Sequence, residues 1–372
     1  MKPYLMFLMF LGVLFPAEVF GRGGASGEND SVSLSVRFVR DFPFQRVRIF
    51  VDELDRWVFL SLFHDNQVIR LDLATGKTLE TIYHVPLPES ITYNPVGQSA
   101  LVALGDSRSY MVSPVRQDGP PGLKQTGLNP VWVGGAPALG YYLLAGAVHI
   151  LYSLDPKGYQ VTDWIALGDK VHEVTLDPAR KKIYFPLFRK DRLTTVSIPE
   201  FRSVASVDLD RCHHPKITLP DGGPGLERVL VLCRNGLFGG DAISGGFERI
   251  KWFGMHPGTM ARIGQSNLVA ISFPDAHEIS IFDRNRNRIV KTFPSRGRPV
   301  FMASFRQKND LLVISNRPAR RLTQLFLYRF SGSALLSGTI PTAISSQKNI
   351  ARSLNAHILK NGSGILKQTT RQ

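Results

Sequence analysis

The chain has 372 residues, with 45 Lys and Arg against 30 Asp and Glu and a formal net charge of +15. A hydrophobic content of 43% is ample for a large core, while 33 glycines and 24 prolines suit a chain built of turns. The charge disfavours basic partners and points to anionic ones: an acidic protein, an anionic glycan or a small anionic ligand. No recognition motif accompanies it, so nucleic acid is not an expected partner. A basic surface that serves only solubility is the plain alternative.

Residues 1–21 have the marks of a signal peptide: a lone Lys2, an apolar run from Leu5 to Phe15, and Val19-Phe20-Gly21 before a possible cut. The run is short for a bilayer and Glu18 follows it closely, so no integral span is expected after signal removal. The protein is expected to be exported, to a periplasm or the extracellular space. Residues 22–32 read as a linker. Residues 342–372 read as a basic, mobile tail, with Lys348, Arg352, Lys360, Lys367 and Arg371 and no acidic residue after position 344.

Between these ends lies a β pattern. Ser33 to Arg40 alternates with period two. The stretch 57–82, WVFLSLFHDNQVIRLDLATGKTLETI, then reads as three short strands separated by His64-Asp65-Asn66 and by Asp72 to Gly76. The unit recurs about every 40 to 45 residues, with second strands starting near Trp57, Ala100, Tyr141, Ile183, Val229, Leu268 and Leu311. Hairpins after the third strands fall at Asp72, Ser113, Asp155, Pro199, Ala242, Asp283 and Arg329. The two markers agree on an all-β, seven-bladed β-propeller of four-stranded antiparallel blades over residues 33–341. The second unit is the weakest, because GPPGLKQTG (Gly119 to Gly127) interrupts its outer strand. Two segments compete to close the ring, the strand from Ser33 and the run Ser331 to Ile340.

The run FLSLFHDNQVIRLDLATGKTLETI, followed by Tyr93-Asn94-Pro95, resembles the YVTN-type β-propeller repeat. The same pattern is visible in Phe282-Asp283 and Leu176-Asp177-Pro178. The resemblance covers about residues 35–340. It implies a seven-bladed propeller exported from a bacterial or archaeal cell, and little about activity, because fold does not fix function.

In such a blade the outer strand leads into the next inner strand at the same face as the hairpin between second and third strands. His84, His172, His213, His214 and His256 fall in the first kind of connection, and His64, His149 and His277 in the second. Eight of the nine histidines thus map to one face, with His357 in the tail. Arg234 and Arg298 mark the same face, with Arg189, Lys190, Arg296, Arg317, Arg320 and Arg321. Imidazoles and guanidinium forks together favour a carboxylate or phosphate ligand. The competing reading is a solvated rim, since polar residues are squeezed into connectors anyway. Glu89, Glu173, Asp65, Asp106, Asp191 and Asp275 are on the same connections, with no spacing that singles out a catalytic pair. No cofactor is called for; copper or zinc would be the ion if the imidazoles converged.

The only cysteines, Cys212 and Cys233, sit at one end of one blade. In an oxidising compartment they are expected to pair. Gly-rich phosphate loops, G-x-S-x-G elbows and H-E-x-x-H helices are absent from the sequence. The expected function is a binding or scaffolding module; the alternative is a propeller enzyme, either a lactonase-like hydrolase or a redox protein with a metal in the funnel.

Overall fold

The computed structural model describes residues 32–51, 57–73, 75–94, 99–105, 109–114, 122–125, 130–136, 141–146, 149–155, 158–169, 173–187, 189–198, 200–220, 228–305 and 308–331. The signal peptide, nearly all of the linker, the basic tail, Asp106, His172 and the segment 332–340 lie outside the described residues. The strands run β1 (Ser33–Pro43), then β2 (Val47–Val51), β3 (Val58–Leu62), β4 (Gln67–Leu71) and β5 (Thr78–Ile82). They continue with β6 (Pro88–Asn94), β7 (Ser99–Leu104), β8 (Ser109–Pro114) and β9 (Gly122–Gln125). Next come β10 (Pro130–Ala136), β11 (Tyr141–Gly146), β12 (Ile150–Leu154) and β13 (Val161–Ala166). After these are β14 (Thr175–Asp177), β15 (Lys182–Leu187), β16 (Arg192–Ser197) and β17 (Arg202–Asp208), then β18 (Ile217–Pro220), β19 (Arg228–Cys233), β20 (Gly236–Asp241) and β21 (Gly245–Trp252). The last are β22 (Met260–Arg262), β23 (Leu268–Phe273), β24 (Glu278–Asp283), β25 (Arg288–Pro294), β26 (Arg298–Ser304), β27 (Asp310–Arg317) and β28 (Leu322–Ser331).

The described residues form seven four-stranded antiparallel sheets, six of them consecutive meanders from β2–β5 to β22–β25. Sequence dictates the layering within each. Second strands such as β7 (SALVAL) and β23 (LVAISF) are buried along their whole length, so both of their faces must be apolar. Outer strands such as β17 (RSVASVD) are exposed or half-buried throughout and carry polar alternation. In four sheets the third strand ends in, or is followed directly by, an Asp (Asp72, Asp155, Asp241 and Asp283), and in the last two that carboxylate organises the following turn. Asp241 Oδ1 accepts from the Ile243 and Ser244 amides, and Asp283 Oδ1 from those of Asn285 and Arg286. This is why the I-D element of the repeat recurs. A register shift follows between third and outer strands, at Arg70/Leu71, Ser153/Leu154, Thr195/Val196 and Ile281/Phe282. Such bulges increase the local twist.

The sheets bury each other's faces in turn, because successive residues of a strand point to opposite sides. Phe59 of β3 packs with Tyr93, Ala100 and Val102 of the next sheet, while its neighbour Leu60 packs with Leu312 and Ile314 of β27. Further clusters join Leu101 to Tyr152, Leu151 to Phe185, Tyr184 to Val231, Leu230 to Ile271, and Ile281 to Val313. The seven clusters leave no sheet unpartnered among the described residues, and the chain of contacts returns to its start.

Closure falls to the N-terminal segment. β1 pairs antiparallel with β28, from Ser33↔Ser331 to Pro43↔Leu322, and completes the sheet β1-β28-β27-β26. The first and last described strands are thus neighbours. Val32, expected in the linker, is 2% exposed and belongs to the core cluster of this closing sheet and its predecessor. Two expected hairpins are displaced: Ser113 and Arg329 lie within β8 and β28, because those strands run on beyond the apolar core that marked their ends in the sequence. In the second sheet the outer strand β9 is only four residues long. Among the described residues no helix is long and apolar enough to cross a membrane.

Candidate functional site

The connections between sheets and the second-to-third strand hairpins share one face, and hydrogen bonds tie them together. In several sheets the residue after the outer strand donates its amide to a carbonyl in the hairpin: Leu167 to His149 at 2.7 Å and Leu209 to Asp191 at 2.8 Å; Val85, three residues past β5, donates to Asn66 at 2.9 Å. Ser295 likewise donates to His277 at 2.6 Å, and Phe44 to Arg321 at 3.0 Å. All five accepting residues have positive φ, between 46° and 66°. Asn, Asp and His tolerate this left-handed region better than most side chains, so part of the histidine content of the face has a backbone cause. His84 and His214 also have positive φ, at 59° and 51°.

The described histidines of the predicted set, His64, His84, His149, His213, His214, His256 and His277, all lie on these connections. They do not converge on a single point. Among the described residues no three His, Cys, Asp or Glu side chains are grouped so as to hold a metal ion. His213 Nδ1 is 3.8 Å from Asp191 Oδ2, and the His214 amide donates to Asp191 Oδ1 at 3.0 Å. His64 stands against Phe63 with ring centroids 5.2 Å apart, and its amide is capped by Gln45 Oε1 at 3.1 Å. Gln45 also donates to Asp65 Oδ2 at 2.6 Å, so it latches the first hairpin to the connector that enters its sheet.

Cys212 and Cys233 form a disulfide with Cα atoms 5.5 Å apart, inside the apolar cluster beneath His213 and His214. The same connector is held at three further points. The Arg234 amide donates to His213 O at 2.8 Å, the His213 amide to Asn235 Oδ1 at 3.1 Å, and Asn235 Nδ2 to Arg211 O at 2.6 Å.

The cations gather where the last three sheets to form in sequence meet. Lys216, just before β18, donates to Pro257 O of the following connector at 2.7 Å. Burial holds its ammonium below the usual lysine range, with Arg234 acting the same way and Asp275 opposing. His256 Nδ1 lies 3.3 Å from Arg234 O, and Arg298 Nη2 donates to Asp275 Oδ1 at 2.7 Å. Across the face, Arg46 reaches Glu89 Oε2 at 2.6 Å and stacks over Phe63. A second electrostatic feature belongs to the inner strands. Glu173, just before β14, keeps some surface exposed, while its carboxyl is packed away from water. Burial pushes that carboxyl up, and Arg48 of β2 pulls it partly back. Arg48 stands on the inner strand β2, Glu173 just before the inner strand β14 of a non-adjacent sheet, and the Arg48 charge acts on the Glu173 carboxyl. Arg48 itself stacks over Phe301 of β26, 5.0 Å from the ring centre.

The structure therefore brings together Arg234, His256 and Arg298 of the predicted set with Asp275, one of the carboxylates noted on the same connections, and with Lys216, which was not predicted. Its local sequence, RCHHPK, holds no pattern that sets this lysine apart from the other basic residues.

No family model and no curated protein sequence matches the chain. Solved structures do. Hydrazine synthase of Kuenenia stuttgartiensis is similar over 79% of this chain and 96% of that one, at 15% identity and a TM-score of 0.64. The β-propeller domain of Cps50 (Swd1) from Myceliophteria thermophila is similar over 78% of this chain and 99% of that one, at 10% identity and a TM-score of 0.62. At such identities the likeness concerns the fold alone, and the chain is a β-propeller.

Proposed function

We propose that the chain is an exported propeller of the YVTN-repeat kind, its seven sheets acting as the blades of one ring, and that it is a binding module for an anionic ligand or an acidic partner. The observation that carries this reading is the excess of cations where the last three sheets meet. Lys216, Arg234 and Arg298 stand there with Asp275 as the carboxylate between them, and Lys216 is half-buried beside another positive charge. Holding like charges together in a partly desolvated place costs stability unless an anion completes the arrangement. Rigid inner strands and latched connectors position these groups before any ligand arrives, which lowers the ordering cost of binding.

The test is a melting-temperature screen of the mature protein against a poly-glutamate peptide, a heparin oligosaccharide and inorganic phosphate at low and high salt. At least one probe should stabilise the wild type, less so at high salt as screening requires. Changing Lys216 to Gln together with Arg234 and Arg298 to Ser should remove the effect. No stabilisation by any probe, or equal stabilisation of the triple variant, would overturn the reading. Turnover of a lactone, or stoichiometric copper or zinc in the purified protein, would replace it with the enzyme class.

A further inference from the structure

We propose that Lys216, Arg234, His256 and Arg298 form a subsite for a small dicarboxylate, and that Asp275 occupies part of it as an internal substitute for the ligand. The proposal rests on the anion-binding reading of this face and assigns it a place, a ligand class and a mode of entry.

Three features support the assignment. First, the four groups come from three successive sheets: short contacts tie Lys216 to Pro257 O at 2.7 Å and His256 Nδ1 to Arg234 O at 3.3 Å, and Arg298 is linked to them through Asp275, whose charge acts on Lys216. His256 directly precedes Pro257, so both contacts grip one connector between β21 and β22. Secondly, a carboxylate is already in place: Asp275 accepts from Arg298 Nη2 at 2.7 Å. The pair is largely exposed, at 46% and 63%, so it contributes little to stability and can be exchanged for a ligand oxygen at small cost. Thirdly, one carboxylate does not balance the cations. Lys216 uses one of its three protons on Pro257 O, and a guanidinium presents five N–H donors in a fixed plane. A ligand with two carboxylates would satisfy Arg298 at one end and Lys216 with Arg234 at the other. His256 lies beside that second end, its Nδ1 on Arg234 O.

Entry by exchange gives variants with opposite signs. Succinate binding to the mature protein is measured by titration calorimetry at low salt, with inorganic phosphate as the competing anion. The wild type should bind succinate in preference to phosphate. Lys216→Met and Arg234→Met should each weaken binding by about 10- to 100-fold, the worth of one charge-assisted hydrogen bond. Lys216→Gln serves if the methionine variant melts below the wild type. Asp275→Asn should bind more tightly than the wild type, because the internal competitor is gone. Weaker binding by Asp275→Asn, unchanged binding by the Lys216 variants, or phosphate preferred over succinate would each overturn the subsite. If succinate does not bind while poly-glutamate or heparin still stabilises the protein, the subsite falls and the wider face reading stands.

Discussion

Cys212 and Cys233 lie 5.5 Å apart at Cα and are joined, so the connector bearing His213 and His214 is fastened to β19 of the sheet it enters. Both cysteines are fully buried in the cluster with Tyr184, Val231 and Phe238. The cross-link closes a loop over a sequence separation of 21, which in the chain-entropy model stabilises by about 3 kcal/mol. Native protein should show no reactive thiol until denatured and reduced. The double variant Cys212→Ser/Cys233→Ser should unfold at lower urea concentration by a comparable free energy. Two thiols that react in the native protein would contradict this.

His277 has a φ of 57° and its carbonyl accepts the Ser295 amide at 2.6 Å. The equivalent position is Asn66 in the first meander and Asp191 in the fourth sheet's hairpin. If the backbone sets the residue type, His277→Asn should change stability by less than about 0.5 kcal/mol. His277→Val, whose β-branched side chain opposes the left-handed region, should lose about 1–2 kcal/mol. Urea unfolding of the two variants decides this; equal losses would show that the imidazole itself is needed.

Much of this architecture was legible. Runs such as VFLSL and LVAISF announce strands buried on both faces, and Asp72, Asp155 and Asp283 announce the hairpins, where Asp155 and Asp283 cap amides and Asp72 accepts from the Thr75 hydroxyl. Ring closure was not, since the alternating Ser33–Arg40 and the turn-and-strand run Ser331–Ile340 could each claim the outer position, and only pairing at a distance decides it. The histidine-bearing face could be read from topology, but the left-handed backbone at His149 and His277 could not. Lys216 was missed for a different reason. One lysine among 45 basic residues carries no local pattern, and its significance comes from burial and from Arg234 and Asp275, brought in from two hairpins.

Closure by β1 makes a strong prediction. Removing residues 33–43 would strip β28 of its partner along its length and uncover the edge LTQLFLYRFS. An exposed apolar edge strand templates association. The truncated protein should melt at lower temperature and elute as larger species in size-exclusion chromatography. A peptide of sequence SLSVRFVRDFP added in trans should reverse both changes. A truncated protein that stays monomeric with an unchanged melting temperature would show that another segment closes the ring.

Glu173 supplies a test by pH. Its carboxyl is raised by burial, and Arg48 offsets this only in part. A carboxyl raised in the folded state binds a proton more tightly there than in the unfolded chain. Its favourable contribution is therefore fully present below the ordinary carboxyl range, near pH ~4.3, and is lost as pH rises through the folded value. Relative to acid pH, burial of the Glu173 carboxyl therefore weakens folding at neutral pH. Glu173→Gln should thus be more stable than the wild type at pH 7, with the difference shrinking towards zero as the pH falls to 4. Arg48→Met should act in the opposite direction at pH 7, because it removes the cation that helps the carboxylate. In the Glu173→Gln background the same Arg48 change should lose that pH-dependent part and keep only what is lost from stacking on Phe301. Urea unfolding of the four proteins between pH 4 and pH 8 measures each step. A Glu173→Gln variant less stable than the wild type at pH 7 would show that the carboxylate is held by favourable partners and that the centre of the ring is wetter than its packing indicates.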